Sequence, residues 1–379
     1  MQTPYISAIY PLPGPDETRP VAQFLSETGQ NTGNLIFSAA VLRLVRGLAR
    51  PPREITDLGE IAEACDGVVL AAANWLQPAR DLGEMAALIE QMDKPTVVLG
   101  LGAQAQEDRI PELPRGSLRF LSAVSERSAS ISVRGTFSAE VLDHYGIHNV
   151  TVTGCPSLLY HLDRPAQIAP LARPDPDRPL RLGLNGGLPG DRIPARDSPR
   201  HVLGRFMLGE ARRLGADYTA QTELPLMRLA RGALPPEDPA WPLLSQALGE
   251  ADRARLAGWA AAHVKLFGQA ENWIAWAASR DLVIGTRLHG VIAALLAGRP
   301  AILLTHDSRT AEMARQAGIP ARPAAQALDA GALDPARLLA EYDPAPFNAR
   351  QPAYLAGFAA FLDRNGVPHR LTPPAGPRH

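Results

Sequence analysis

Two cysteines in 379 residues, Cys65 and Cys155, are too few for a disulfide framework or a four-cysteine zinc site. Charge of one sign is lacking too, since the formal net charge is -1. So neutral a chain has no general field to recruit nucleic acid or an anionic membrane, and any anion it binds needs a local site. No apolar run reaches about 18 residues, the least that spans a membrane. The start, MQTPYISAIYPLPGPDE, has no basic segment followed by an apolar core, so no signal peptide is expected. No His or Cys pair has metal-ligand spacing, and neither metal nor cofactor is expected. The expectation is a cytoplasmic protein without a transmembrane segment.

What is present is globular. Hydrophobic residues make up 46% and charged ones 20%. The length exceeds what one core usually fills, so two domains are expected. Short apolar runs alternate with helical spacing from about residue 34: GVVLAAA (67–73), PTVVLGLG (95–102), ISVRG (131–135) and VTVTG (150–154). Helices are expected over 35–49, 78–92, 117–129 and 136–146. After a stretch with five prolines (163–180), the rhythm resumes with LRLGLNG, ADYTAQT, HVKLFGQ, LVIG and AILLTH as strands, and a last helix over 351–364. Continuous apolar strands between helices imply parallel sheets covered on both faces. The expected fold is α/β, two doubly wound Rossmann-like domains facing across a cleft. The Gly- and Pro-rich stretches 185–198 and 231–242 read as loops at that cleft.

One segment concentrates the chemistry. In DLVIGTRLHGVIAALLAGRPAILLTH a buried strand runs straight into a buried helix, and Thr286, Arg287 and His289 stand at the seam. Strand carboxyl ends and helix N-termini both favour anions. Arginine adds a fork that matches phosphate or carboxylate, and histidine a proton carrier near neutral pH. Gly290 allows close approach. The plain alternative is a capping arginine and a satisfied core histidine.

Three further stretches invite the same comparison. NTGN supplies Asn31, Gly33 and Asn34 before the first strong helix, either as an oxygen-binding loop or as an ordinary N-cap turn. SVRG ends a strand in Arg134, repeating the placement of Arg287 in the other half; the alternative is an arginine at a sheet edge. In THDSR, Asp307, Ser308 and Arg309 can reach the same ligand, or Asp307 and Ser308 can simply cap the following helix. GLGAQ (100–104) lacks the spacing of a dinucleotide fingerprint, and LNGGLPG (184–190) lacks a Walker lysine. Trp273 and Trp276 read as helix core.

The order NTGN, SVRGTFSAEVLDHYGIHNVTVTGCPSLL, then DLVIGTRLHGVIAALLAGRPAILLTHDSRT resembles the polysaccharide pyruvyl transferase family over roughly residues 30 to 320. RLHG after an apolar strand is the most specific element. The resemblance implies a GT-B-like fold and transfer of the pyruvyl group of phosphoenolpyruvate onto a sugar diol as a ketal, in surface glycan biosynthesis. It implies donor binding by Arg134, Thr286, Arg287, Leu288, His289 and Gly290, with His289 and Arg287 catalytic. The acceptor would be a sugar or lipid-linked glycan, with no nucleic acid partner. The implied division is 1–165 for the acceptor side, 166–180 for a linker, 181–345 for the donor side, and 346–379 for a C-terminal helix and tail. This chain departs from the family pattern at Gly135, where an acidic residue is frequent, at GCPS (154–157), and at Arg309, where a lysine is common. Two other readings stay open: a GT-B nucleotide-sugar glycosyltransferase, and a non-catalytic glycan- or anion-binding protein.

Overall fold

The structure, a computed structural model, describes residues 1–12, 19–50, 58–104, 109–169, 178–187 and 198–372. Two all-parallel groups of strands organise it. In the first, β1 (Tyr5–Ser7), β2 (Val68–Ala71) and β3 (Thr96–Leu99) lie side by side in sequence order. Strands β4 (Ile131–Val133) and β5 (Val150–Val152) pair beyond them, joined through a single bridge between Leu101 and Val133. The second sheet holds β6 (Leu182–Asn185), β7 (Asp217–Thr219), β8 (Val264–Lys265), β9 (Leu282–Gly285), β10 (Ala301–Thr305) and β11 (Ala321–Pro323). Their spatial order is β11-β10-β9-β6-β7-β8, the doubly wound Rossmann order, so the direction of winding reverses between the parallel neighbours β6 and β9.

Every residue of β2, β3, β4, β6 and β9 is buried, which is why these strands read as unbroken apolar runs. Helices cover both faces of each sheet. Helices Asn34–Leu44 and Leu288–Leu296 share one core with Val69, Val97, Val283 and Leu303, so apolar packing runs continuously from one sheet to the other. The layout is α/β, two Rossmann-like halves facing across a cleft.

Several local expectations need correcting. The first strand is Tyr5–Ser7, well before residue 34; three residues after Pro4 are too short to show a period. The helix expected over 35–49 stops at Leu44, because Val45 turns extended to bridge His369. At Gly47 a Cβ would lie 2.3 Å from the Pro4 carbonyl oxygen, so the chain passes tightly against the lead-in to β1. HVKLFGQ contributes only Val264–Lys265, and Ala321–Pro323 is a strand not anticipated. The last helix begins at Ala345 and runs through Pro352, which sequence spacing takes as a helix start. Its extra turns are anchored by Asn348, which exchanges hydrogen bonds with the backbone of Ile168.

Segments cross between the halves. Val21 and Leu25 pack on the core of the second sheet. In return the Ala345–Arg364 helix reaches the first half, where Tyr354 donates to the Cys155 carbonyl and Asn365 accepts from the Ser130 N–H. The division 1–165, 166–180, 181–345 and 346–379 remains a proposal; residues 170–177 of the linker and 373–379 of the tail lie outside the described residues. No helix among the described residues is long and apolar enough to cross a membrane.

Because Phe358 is fully buried in the shared core, Phe358→Ala is expected to cost about 3–5 kcal/mol in urea unfolding. The two halves should still unfold in one transition, which intrinsic fluorescence and far-UV circular dichroism would show as coincident curves.

Candidate functional site

Ligands of open α/β sheets bind beyond the strand carboxyl ends where the winding reverses, here between β6 and β9. Asn185 ends β6 and Gly285 ends β9. The Asn185 side chain is fully buried and wedged between two glycines. A Cβ at Gly285 would sit 2.0 Å from its Oδ1, and one at Gly290 would sit 2.5 Å from its Nδ2. Its Oδ1 accepts the Arg287 N–H at 3.0 Å, which fixes the turn from β9 into the helix. Gly290 therefore makes room for a side chain of the protein, and the space beside it is not open to a ligand as expected.

Arg287 is held from two sides. Nε donates to the Gly186 carbonyl at 3.0 Å and Nη2 to Thr222 Oγ1 at 2.8 Å, while Gly187 lacks the Cβ that would collide with the guanidinium. Two of the five guanidinium N–H groups are thereby used, leaving three for a ligand. Thr222 is itself fixed by Glu223, whose carboxylate accepts from the N–H groups of Gln221 and Thr222 at 2.7 and 2.8 Å. The buried Tyr218 hydroxyl also donates to it, and burial keeps that phenol protonated far above its ordinary range.

Arg134 lies at the end of β4 and is 2% exposed. Its Nε donates to the Gly100 carbonyl at 2.8 Å, Nη2 to the Ala72 carbonyl at 3.1 Å and Nη1 to Asn74 Oδ1 at 3.2 Å. The guanidinium also rests over the Phe37 ring at 5.6 Å. It thus gathers the carboxyl ends of β2 and β3. Every hydrogen-bond acceptor named for Arg134 and Arg287 is a neutral oxygen.

The two arginines meet in one inner chamber of 160 Å³, also lined by Asn31, Asn34, Leu288 and His289. An outer cavity of 320 Å³ adjoins it through the shared residues Asn31, Asn74, Gln104 and Arg287, and adds Thr286, Arg200 and His306. His289 is 7% exposed; its ring packs on Phe37 with centroids 5.4 Å apart, and its Nε2 lies 3.6 Å from Cys155 Sγ. Cys155 in turn lies 2.9 Å from Ser157 Oγ. The NTGN turn reaches this seam because Gly33 has no Cβ: one there would come within 3.2 Å of His289 Cβ and 2.7 Å of Gln221 Oε1. Thr32 locks the turn by donating its N–H to the Gln221 carbonyl at 3.0 Å.

Of the third stretch, His306 reaches the outer cavity and Asp307 does not. Asp307 is the N-cap of the Ser308–Ala317 helix in a capping box with Thr310, whose N–H and hydroxyl both lie 2.8 Å from Asp307 Oδ1. Its Oδ1 caps the helix, its Oδ2 lies 3.7 Å from His306 Nε2, and it lines neither cavity. The side chains of Ser308 and Arg309 lie outside the described residues, as does 188–197 of the glycine-rich loop. The 231–242 stretch folds on itself, with Trp241 buried and its indole donating to the Pro235 carbonyl at 2.8 Å. Trp273 is core, stacked on Phe267.

Sequence reasoning missed Asn185, Gln221, Asn74, Gln77, Gln104, Arg200 and His306. Asn185, Gln221 and His306 each end a strand or follow one within two residues, so the strand-end rule already used for Arg287 points to them.

Gly135, immediately after Arg134, answers to a residue of the other half. A Cβ there would lie 2.1 Å from the Glu312 carboxyl carbon. Glu312 is 3% exposed and its Oε1 accepts the Ser138 N–H at 3.3 Å, capping the Thr136–His144 helix across the seam. Burial raises its carboxyl pKa, partly offset by the N–H donors of Ser138 and Phe137. The backbone at Gly135 is ordinary extended chain, so the clash alone sets the cost. Gly135→Ala is expected to lose about 1–3 kcal/mol by thermal denaturation. Adding Glu312→Ala should recover part of that loss, a non-additivity that a double-mutant cycle measures.

A family model described as polysaccharide pyruvyl transferase matches residues 31–308. None of the curated proteins compared matches. Among solved structures, the chain is similar to a putative UDP-N-acetylglucosamine 2-epimerase from Listeria monocytogenes, at 13% identity and a TM-score of 0.43, covering 96% of this chain and 98% of that one. A UDP-N-acetylglucosamine 2-epimerase from Rickettsia bellii has 10% identity and a TM-score of 0.42 over the same shares. The glycosyltransferase SnogD from Streptomyces nogalater has 13% identity and a TM-score of 0.32, over 93% of this chain and 78% of that one.

Proposed function

We propose that this chain, which belongs to the polysaccharide pyruvyl transferase family, transfers the pyruvyl group of phosphoenolpyruvate onto two hydroxyls of a sugar, forming a ketal and releasing phosphate. The observation that carries this reading is the inner chamber: two arginines with neutral hydrogen-bond partners and a histidine line 160 Å³, with no carboxylate among the described residues that line it. That is the volume of about five liquid waters, a space suited to a three-carbon dianion.

The chemistry follows from those groups. The donor's methylene carbon must gain a proton, and its central carbon must take two sugar oxygens while its bond to the phosphate oxygen breaks. Of the two hydroxyl protons, one ends on the new methyl group and the other on the departing phosphate. His289 takes a proton from an attacking hydroxyl and delivers one to the methylene. Arg287, with its three remaining N–H groups, holds the phosphate and stabilises the charge it gains on leaving. Arg134 supplies a fixed positive potential from the chamber wall, its orientation set before any ligand arrives. In this reading the sugar or lipid-linked glycan acceptor occupies the outer cavity, with Thr286 at its border, in the service of surface glycan synthesis.

A second reading rests on that outer cavity. At 320 Å³, with Arg200 and Arg287 on its wall, it falls within the usual size range of small-molecule pockets, about 300–1,000 Å³, and admits a nucleotide. The same site then serves a nucleotide-sugar glycosyltransferase. A thermal-shift titration separates the two. Wild type is expected to be stabilised by phosphoenolpyruvate and not by UDP or GDP, with the effect lost in Arg287→Ala. Stabilisation by a nucleotide alone would move the assignment to the second reading.

A further inference from the structure

Gln221 has no part in the reading above, yet its setting is that of a binding group. It follows β7, is 1% exposed and lines the inner chamber while leaving the outer cavity to others. Its backbone is clamped at both ends: the N–H donates to Glu223 Oε2 at 2.7 Å, and the carbonyl accepts from Thr32 at 3.0 Å. The side chain is confined between two glycines, since a Cβ at Gly33 would lie 2.7 Å from Oε1 and one at Gly290 would lie 3.0 Å from Nε2. Thus the carboxamide is positioned before a ligand arrives. Its Nε2 has no hydrogen-bond partner among the described residues, although a buried donor left unmade costs about 1–3 kcal/mol.

We propose that Gln221 is a specificity residue that reads the carboxylate of a three-carbon phospho-acid donor, an inference that rests on the proposed function. A doubly charged phosphate calls for cationic donors, and Arg287, on the wall of both cavities, presents three N–H groups toward it. Placing the phosphate at Arg287 also gives the leaving group a way out through the outer cavity. The carboxylate then lies toward Gln221, which lines only the smaller cavity, where a neutral N–H donor completes its contacts and contributes recognition without adding a third buried cation. The donor is thereby read at both ends, so an anion bearing phosphate alone satisfies Arg287 and leaves Gln221 unused.

The test is calorimetric titration of the full chain with phosphoenolpyruvate and, separately, with inorganic phosphate. In Gln221→Leu, similar in volume but without the amide, phosphoenolpyruvate affinity is expected to fall on the order of tenfold or more. Phosphate affinity should stay within about twofold of wild type. Gln221→Glu, which presents a carboxylate to a carboxylate, should lose still more of the phosphoenolpyruvate affinity. If Gln221→Leu fails to fold in a thermal melt, Gln221→Met carries the same comparison. Equal losses for both ligands, or no loss for either, overturn the assignment while the proposed function stands. Failure of wild type to bind phosphoenolpyruvate overturns both.

Discussion

Two guanidinium groups lie in one small chamber with only neutral oxygens as protein partners, and the site is built around that charge. Burying a cation is costly unless dipoles or an opposite charge replace its water. Here carbonyl groups at strand ends supply the dipoles: Ala72 and Gly100 for Arg134, Gly186 for Arg287. Such carbonyls solvate a guanidinium without cancelling its charge. The result is a fixed positive potential at the meeting point of two sheets, in a chain whose net charge is -1. Neither guanidinium is hydrogen-bonded to a carboxylate among the described residues, so the arrangement is not a structural ion pair.

Glycine makes this arrangement possible by leaving space for side chains of the protein. Gly285 and Gly290 admit Asn185, Gly33 and Gly290 admit Gln221, Gly187 admits Arg287, and Gly135 admits Glu312. In each case a polar or charged side chain occupies the place where a Cβ would be. Interior packing is dense enough that one extra methyl at these points displaces the side chain seated there. Gly135 with Glu312 shows the same logic across the seam: a carboxylate absent after Arg134 in sequence is brought there by the other half, where it caps a helix.

The halves are not free to drift apart independently of the site. Thr32 bonds the Gln221 carbonyl, the segment around Val21 and Leu25 packs on the second sheet's core, and the last helix returns to Cys155 and Ser130. The chamber is thus a product of the seam. A ligand held there contacts residues from both halves, so its binding is coupled to how they sit together.

Sequence alone determined the α/β class, most of the strands and the importance of RLHG, because those signals are local. Burial on both faces writes a strand as an apolar run, and a strand running into a helix puts Arg287 and His289 at the seam whatever surrounds them. It also brought out Arg134 by the same rule, and Asn31 as an N-cap type before a helix. Tertiary structure decided what the rule could not: that Asp307 caps a helix, that Gly290 houses a side chain, and that Asn185, Gln221, Asn74 and Gln104 share the site. Amides carry no periodicity and no charge, and their meaning depends on partners more than a hundred residues away, such as the 102 positions between Asn185 and Arg287. The three residues of β1 show the same limit for the fold, since a strand so short is defined by its neighbour β2 and not by its own pattern.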